Sequence, residues 1–154
     1  MSTDEFYMAK ALQLAQQAGA AGEVPVGALV VRNGEIIGEG YNQPISACDP
    51  TAHAEVVAMR SAASKINNYR LSDCDLYVTI EPCTMCVGAM VHGRIRRIVF
   101  GALEPRAGAL QSQLQLMDQD HYNHRVDVRG RVLEQQCGDL ISGFFRHRRK
   151  NKSQ

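Results

Sequence analysis

A hairpin signal near the start of the chain fixes its architecture. Val24-Pro25-Val26-Gly27-Ala28-Leu29-Val30-Val31 is an apolar run rich in valine, Asn33-Gly34 is a strong tight-turn dipeptide, and Ile36-Ile37 lies in the returning strand. Upstream, Tyr7, Ala11, Leu14, Ala15 and Ala18 recur at helical spacing, which predicts a helix over 4–18. Ser2 and Glu5 have the spacing of a capping box, and Gly19 and Gly22 end the pattern. Residues 42–52, with Pro44 and Pro50, read as a loop, and a helix follows over 53–65. A short buried strand is expected at 76–80, and Pro82 opens the next helix because proline suits a first turn. Further strands are expected at 95–100 and 126–128, separated by an irregular or weakly helical stretch over 104–124. A last helix covers 131–150, with Leu133, Cys137, Leu140, Ile141 and Phe144 on one stripe. Strands alternating with helices predict an α/β fold with helices on both faces of one sheet.

No repeat, low-complexity tract or linker interrupts the 154 residues, so a single domain over 1–154 is expected. Hydrophobic residues make up 45% and charged residues 21%, which excludes wholesale disorder. No apolar run reaches the roughly 18 residues of a membrane span. Ser2-Thr3-Asp4-Glu5 is polar and acidic, unlike a secretory leader. A cytoplasmic globular protein with no membrane partner is expected.

The net charge of +1 conceals an asymmetry. Residues 144–154 hold Arg146, Arg148, Arg149, Lys150 and Lys152 and no acid, a local charge of +5. The other 143 residues hold 12 basic and 16 acidic groups, for −4. This asymmetry suggests an anionic partner at the C-terminus. The plainer explanation is a solvated helix end with cations near its negative pole. Five cysteines, an odd number, argue against a disulfide framework and for metal binding or buried thiols. For Cys48, Cys74 and Cys137, inert buried thiols are expected.

Two segments carry chemistry: His53-Ala54-Glu55, and Pro82-Cys83-Thr84-Met85-Cys86 thirty residues later. Cys83 and Cys86, three apart at a helix start, point their sulfurs the same way. The positive helix end lowers thiol pKa, which suits thiolate ligands. His53 is the candidate third ligand, and three protein ligands leave a fourth tetrahedral position for water, as in catalytic zinc sites. Residues two apart do not share a helix face. His53 and Glu55 therefore serve one site only if His53 sits at the very start of its helix, with Asp49 or Thr51 as the candidate cap. Zinc lowers the pKa of bound water to roughly 7. A carboxylate beside that water can accept its proton and deliver it to a leaving amine. A redox dithiol would not need His53 or Glu55. A structural zinc site would need a fourth ligand from Cys74, His92 or Cys137, whose flanks show no paired-ligand spacing.

The His-x-Glu and Pro-Cys-x-x-Cys pair resembles the zinc-dependent cytidine/deoxycytidylate deaminase superfamily and, within it, the bacterial tRNA-specific adenosine deaminases. The matching stretches span nearly the whole chain: 24–28, 38–42, 49–55, 68–71, 76–102, 123–126 and 144–146. The resemblance implies a three-layer α/β/α cytidine-deaminase-like fold with a mixed sheet of about five strands. It implies hydrolysis of adenosine to inosine at the wobble position of a tRNA anticodon. It further implies one Zn2+ per subunit on His53, Cys83 and Cys86, Glu55 as proton shuttle, and a homodimer with active sites near its interface. Asn42 matches a purine-binding position, with Ala54, Pro82 and Cys83 beside it. Arg70 and Arg106 match positions that face RNA. On the basic C-terminal helix, Arg146 and Arg149 are candidates for phosphates of an anticodon stem-loop. Phe145 lies off the apolar stripe and is the candidate for stacking on a base. Two departures fall at 104–112. Glu104 stands where the family more usually has Asp, and Ala109-Leu110-Gln111-Ser112 lacks the expected glycine pattern.

Three other readings compete. A small-molecule deaminase acting on guanine, cytosine or a pterin precursor would share the zinc site but not need the basic tail. A non-catalytic RNA-binding subunit would have no use for Glu55. A riboflavin-pathway deaminase often carries a reductase domain for which this chain has no room.

Overall fold

A computed structural model describes residues 1–152. Its elements are α1 (Thr3–Ala20), β1 (Gly27–Arg32), β2 (Glu35–Tyr41), α2 (Ala54–Ile66), β3 (Cys74–Ile80), α3 (Thr84–His92), β4 (Arg97–Ala102), β5 (Asp127–Arg129) and α4 (Glu134–Lys152). A single 3-10 turn, Leu116–Asp118, interrupts the long connection between β4 and β5. The five strands form one sheet in the order β2-β1-β3-β4-β5. β1 pairs antiparallel with both β2 and β3, while β3, β4 and β5 run parallel. The sheet is therefore mixed, as the resemblance implied.

Strand alternation sorts the core onto two faces. Ala28, Val30, Leu76, Val78, Ile98 and Phe100 point to the side covered by α2 and α3. Leu29, Val31, Tyr77 and Val99 point to the side covered by α1 and the start of α4. Helices thus cover both faces in three layers. The capping box at Ser2 and Glu5 is present. Asn33 and Gly34 both have positive φ (52° and 78°), as the hairpin turn requires.

Boundaries differ from the sequence expectation in instructive ways. Val24–Val26 stay outside the sheet and β1 begins at Gly27. α1 runs through Gly19 to Ala20. β4 starts two residues later than expected and β5 one later. Pro82 does not open α3; Cys83 is the N-cap, with extended backbone (φ −81°, ψ 174°). α4 starts at Glu134 because Arg131 and Leu133 take left-handed backbone (φ 68° and 51°), which no helix accommodates.

One close approach seats the functional edge of the molecule. Ala54, Ala58 and Ala62 recur every four residues on α2, and none is exposed. This small stripe lets the α2 backbone lie directly on Gly38 and Gly40 of β2. A Cβ built on Gly40 would lie 2.6 Å from the Ala58 nitrogen and 2.7 Å from the Ala54 carbonyl oxygen. Gly40→Ala must therefore push the N-terminal half of α2 off the sheet. Thermal denaturation should show a loss of about 1–3 kcal/mol, with weaker metal retention. An unchanged melting temperature contradicts this packing.

Candidate metal centre

β2 and β3 both end at the same edge of the sheet, and each is followed by a connection into a helix. His53 is the N-cap of α2, with extended backbone (φ −69°, ψ 153°). This is the position the two-apart argument demanded: before the first helical turn, His53 and Glu55 can face one centre. The cap itself differs from expectation. Asp49 instead accepts from the N–H and hydroxyl of Thr51 (2.9 and 2.8 Å). It is Asn42 Oδ1 that accepts the Ala54 N–H, at 2.8 Å.

His53 Nδ1 lies 3.6 Å from Cys83 Sγ and 3.5 Å from Cys86 Sγ. A tetrahedral zinc with Zn–N of about 2.0–2.1 Å and Zn–S of about 2.3 Å would space such atoms roughly 3.5 Å apart. The donor set therefore fits the ion. Among the described residues this is the group placed to hold a metal, and no fourth protein donor joins it. Cys74 lies at the far end of β3, and Cys137 packs on the opposite face, against α1. Burial pushes the Cys137 thiol up to about 12, so it is an inert core residue. Cys48, however, is exposed, contrary to the expectation of a buried thiol.

The two remaining thiols are hydrogen-bonded to each other. A hydrogen bond from Cys86, helped by His53, draws Cys83 down to about 4 against the opposing effect of burial. The same bond, together with burial, pushes Cys86 up. The bond to Cys83 raises His53. A dication would displace the shared proton and leave both sulfurs as thiolates. Glu55 is 3% exposed, and burial raises its pKa, opposed by its own backbone N–H and by His53. It is a carboxyl group poised to hold a proton.

His53, Glu55 and Cys83 open into a cavity of about 170 Å³. Val24, Val26 and Asn42 line one side, Glu104 and Ala107 another, and Ile141 and Phe145 of α4 contribute two apolar side chains. With Asn42 Oδ1 committed to Ala54, the amide NH2 remains a donor for a ligand. Phe145 lines the cavity and is 39% exposed.

Other expected site residues fall elsewhere. Ala54 is wholly buried and its N–H is taken by Asn42, so it offers the cavity no donor. Pro82 lies outside the cavity lining, and its carbonyl accepts from Ala109. Arg106 is exposed between the lining residues Glu104 and Ala107. Arg146 and Arg149 are exposed on α4 beyond Phe145. Arg70 is not at this edge. It precedes β3, whose seven residues separate it from the metal ligands by roughly 20 Å. It lines a different cleft with Arg94, Arg96 and Arg125. A larger apolar cleft of about 280 Å³, lined by Val56, Met59, Leu71 and Ala89 among others, lies between α2 and α3 and includes no metal ligand.

Two buried acids went unnoticed in the sequence. Glu23 accepts from the Ile45 and Ser46 N–H groups (3.2 and 2.7 Å) and ties down the loop that delivers His53. Glu81 holds the loop after β4. The signal for Glu81 was a charged residue directly after a buried strand and before Pro82.

These features match a known class. The family model for the cytidine and deoxycytidylate deaminase zinc-binding region covers residues 1–102, and the chain belongs to that family. Within it the near relatives are tRNA-specific adenosine deaminases. That of Haemophilus influenzae is 49% identical over 150 residues, 97% of this chain and 87% of that protein. That of Bacillus subtilis is 41% identical over 152 residues, 99% and 94% of the two. A solved structure from studies of A-to-I editing by tRNA:A34 deaminases at the wobble position matches with a TM-score of 0.86 at 38% identity, over 88% of this chain and 98% of that one. The guanine deaminase of Nitrosomonas europaea shares the fold, with a TM-score of 0.82 at 24% identity, over 94% and 85%.

His53→Ala should lose zinc on dialysis at neutral pH, and zinc in the unaltered protein should fall on acidification as ligands reprotonate. Elemental analysis checks both. Full zinc retention by His53→Ala contradicts the ligand assignment.

Proposed function

We propose that this chain is a single zinc-dependent deaminase domain that hydrolyses adenosine to inosine at the wobble position of a tRNA anticodon. The observation that carries the chemistry is the buried carboxyl of Glu55, lining the same cavity as His53 and Cys83. His53, Cys83 and Cys86 would hold one Zn2+ per subunit, which would supply an acidified water beside Glu55. Glu55 takes one proton from that water and delivers it to N1 of the purine, then takes the second from the hydroxyl newly added at C6 and passes it to the departing amine as the C6–N bond breaks. Asn42 donates its amide N–H to a ring nitrogen. Val24, Val26 and Ile141 exclude solvent around the base, and Phe145 stacks at the mouth, where such contacts are worth about 1–3 kcal/mol per base.

An RNA substrate is favoured by what surrounds the cavity. Arg146 and Arg149 stand on the exposed helix beyond Phe145, and Arg106 on the loop opposite. Anticodon loops present bases already free of a duplex, which deaminases require. The guanine and cytosine alternative needs none of these groups. Arg70 lies too far away to join them within one chain. The apolar cleft between α2 and α3 is assigned to a second copy of the chain, forming a homodimer. No helix of the described residues is long and apolar enough to cross a membrane, and a tRNA substrate puts the enzyme in the cytoplasm.

The direct test is incubation with an anticodon stem-loop bearing adenosine at its first anticodon position. Inosine should form there, while free adenosine reacts poorly. Deleting residues 146–154 should lower kcat/KM on that RNA and flatten its salt dependence. An unchanged kcat/KM after deletion, or preferential turnover of free bases, contradicts the RNA assignment.

A further inference from the structure

Glu81 is the most heavily bonded side chain for which the proposed chemistry has no use. It directly follows β3 and is 2% exposed. Its carboxylate is met by a single loop. Oε1 accepts from the Glu104 N–H at 3.0 Å and from the Ser112 hydroxyl. Oε2 accepts from the N–H groups of Leu110, Gln111 and Ser112 at 3.1, 2.8 and 2.9 Å. Both ends of the 104–112 segment are thus tied to one buried group.

Gly108 supplies an independent sign that this contact shapes the loop. A Cβ built on it would collide with the Glu81 carboxyl group, so only glycine lets the chain pass so close. The Ala109 N–H also donates to the Pro82 carbonyl at 2.9 Å, fixing the loop to the residue before the metal ligand Cys83. The same loop sets Glu104 and Ala107 in the cavity wall, with Arg106 exposed between them. A carboxylate buried this deeply is tolerable only while its bonds are made, and its removal strands four backbone donors.

We propose that Glu81 is a positioning residue for the RNA substrate: it fixes the 104–112 loop as the wall that meets the nucleotides flanking the reacting base. This rests on the RNA reading above. Glu81 also lines the cavity, but both of its carboxylate oxygens are taken by donors of the loop, so its role is to position that loop rather than to touch the base or the metal.

The test compares full-length, zinc-loaded wild type with Glu81→Gln, Gly108→Ala and Ser112→Ala on the anticodon stem-loop. KM should rise about tenfold or more for the first two, as expected when hydrogen bonds to a charged group are lost. Ser112→Ala removes only the hydroxyl donor, so it tests the same contact gently if the others fold poorly. Its KM should rise about threefold. In all three, kcat should stay within about threefold of wild type and zinc content should not change. Glu81→Gln and Gly108→Ala break one contact, so the double variant should be no worse than the weaker of the two. Amide hydrogen exchange at Glu104, Leu110, Gln111 and Ser112 should accelerate in Glu81→Gln, independently of turnover.

Loss of kcat at constant KM, loss of zinc, multiplying effects in the double variant, or unmoved amide exchange would each overturn the proposal. Wild-type inactivity on the stem-loop is a separate result and overturns the RNA reading itself.

Discussion

His53 and Cys83 meet because β1 runs antiparallel to both of its neighbours. That single arrangement makes β2 and β3 point the same way, so their ends lie at one edge of the sheet. The helices that follow them must both begin there. Two helix N-termini converge, and with them the residues placed at their caps. His53 and Cys83 are both N-caps with extended backbone, which leaves their side chains free of helical packing and aimed at one point. Positive helix ends on both sides favour thiolate charge at that point. The topology thus supplies both the geometry and the field that a dication site with an adjacent acid requires.

Distance then decides the details. α2 can reach the edge only because an alanine stripe rests on two strand glycines. The loop that delivers His53 is held by Glu23, and the loop that closes the far wall is held by Glu81. Buried carboxylates do this work through backbone N–H groups, the bonds that best offset their desolvation. The same physics gives different outcomes at different acids. Glu23 and Glu81 accept several hydrogen bonds each and are held below the usual carboxylate range. Glu55 is buried with few such partners and is raised. An acid with many donors is a structural anchor, whereas one with few can carry a proton.

Much of this was legible in the residues. Hydrophobic periodicity gave the alternation of elements, Asn33-Gly34 gave the hairpin, and cysteine spacing pointed to two of the three donors that the fold clusters. The requirement that His53 precede its helix followed from helical geometry alone. What stayed hidden depended on contacts between distant segments. Asn42 caps α2 from twelve residues away, displacing the local candidates Asp49 and Thr51. Positive φ at Arg131 and Leu133 delays α4, and no local propensity announces it. Arg70 sits in a matching motif, yet β3 carries it to the opposite edge. Glu81 looked like the end of a strand because its partners lie 23 to 31 residues downstream.

The central claim is that one buried acid, beside three protein ligands, moves the protons of the reaction. Glu55→Gln removes that capacity and keeps the shape. The variant should retain wild-type zinc content and stem-loop affinity while kcat falls by about 10²–10⁴-fold. Turnover near the wild-type rate, with zinc bound, would contradict the account.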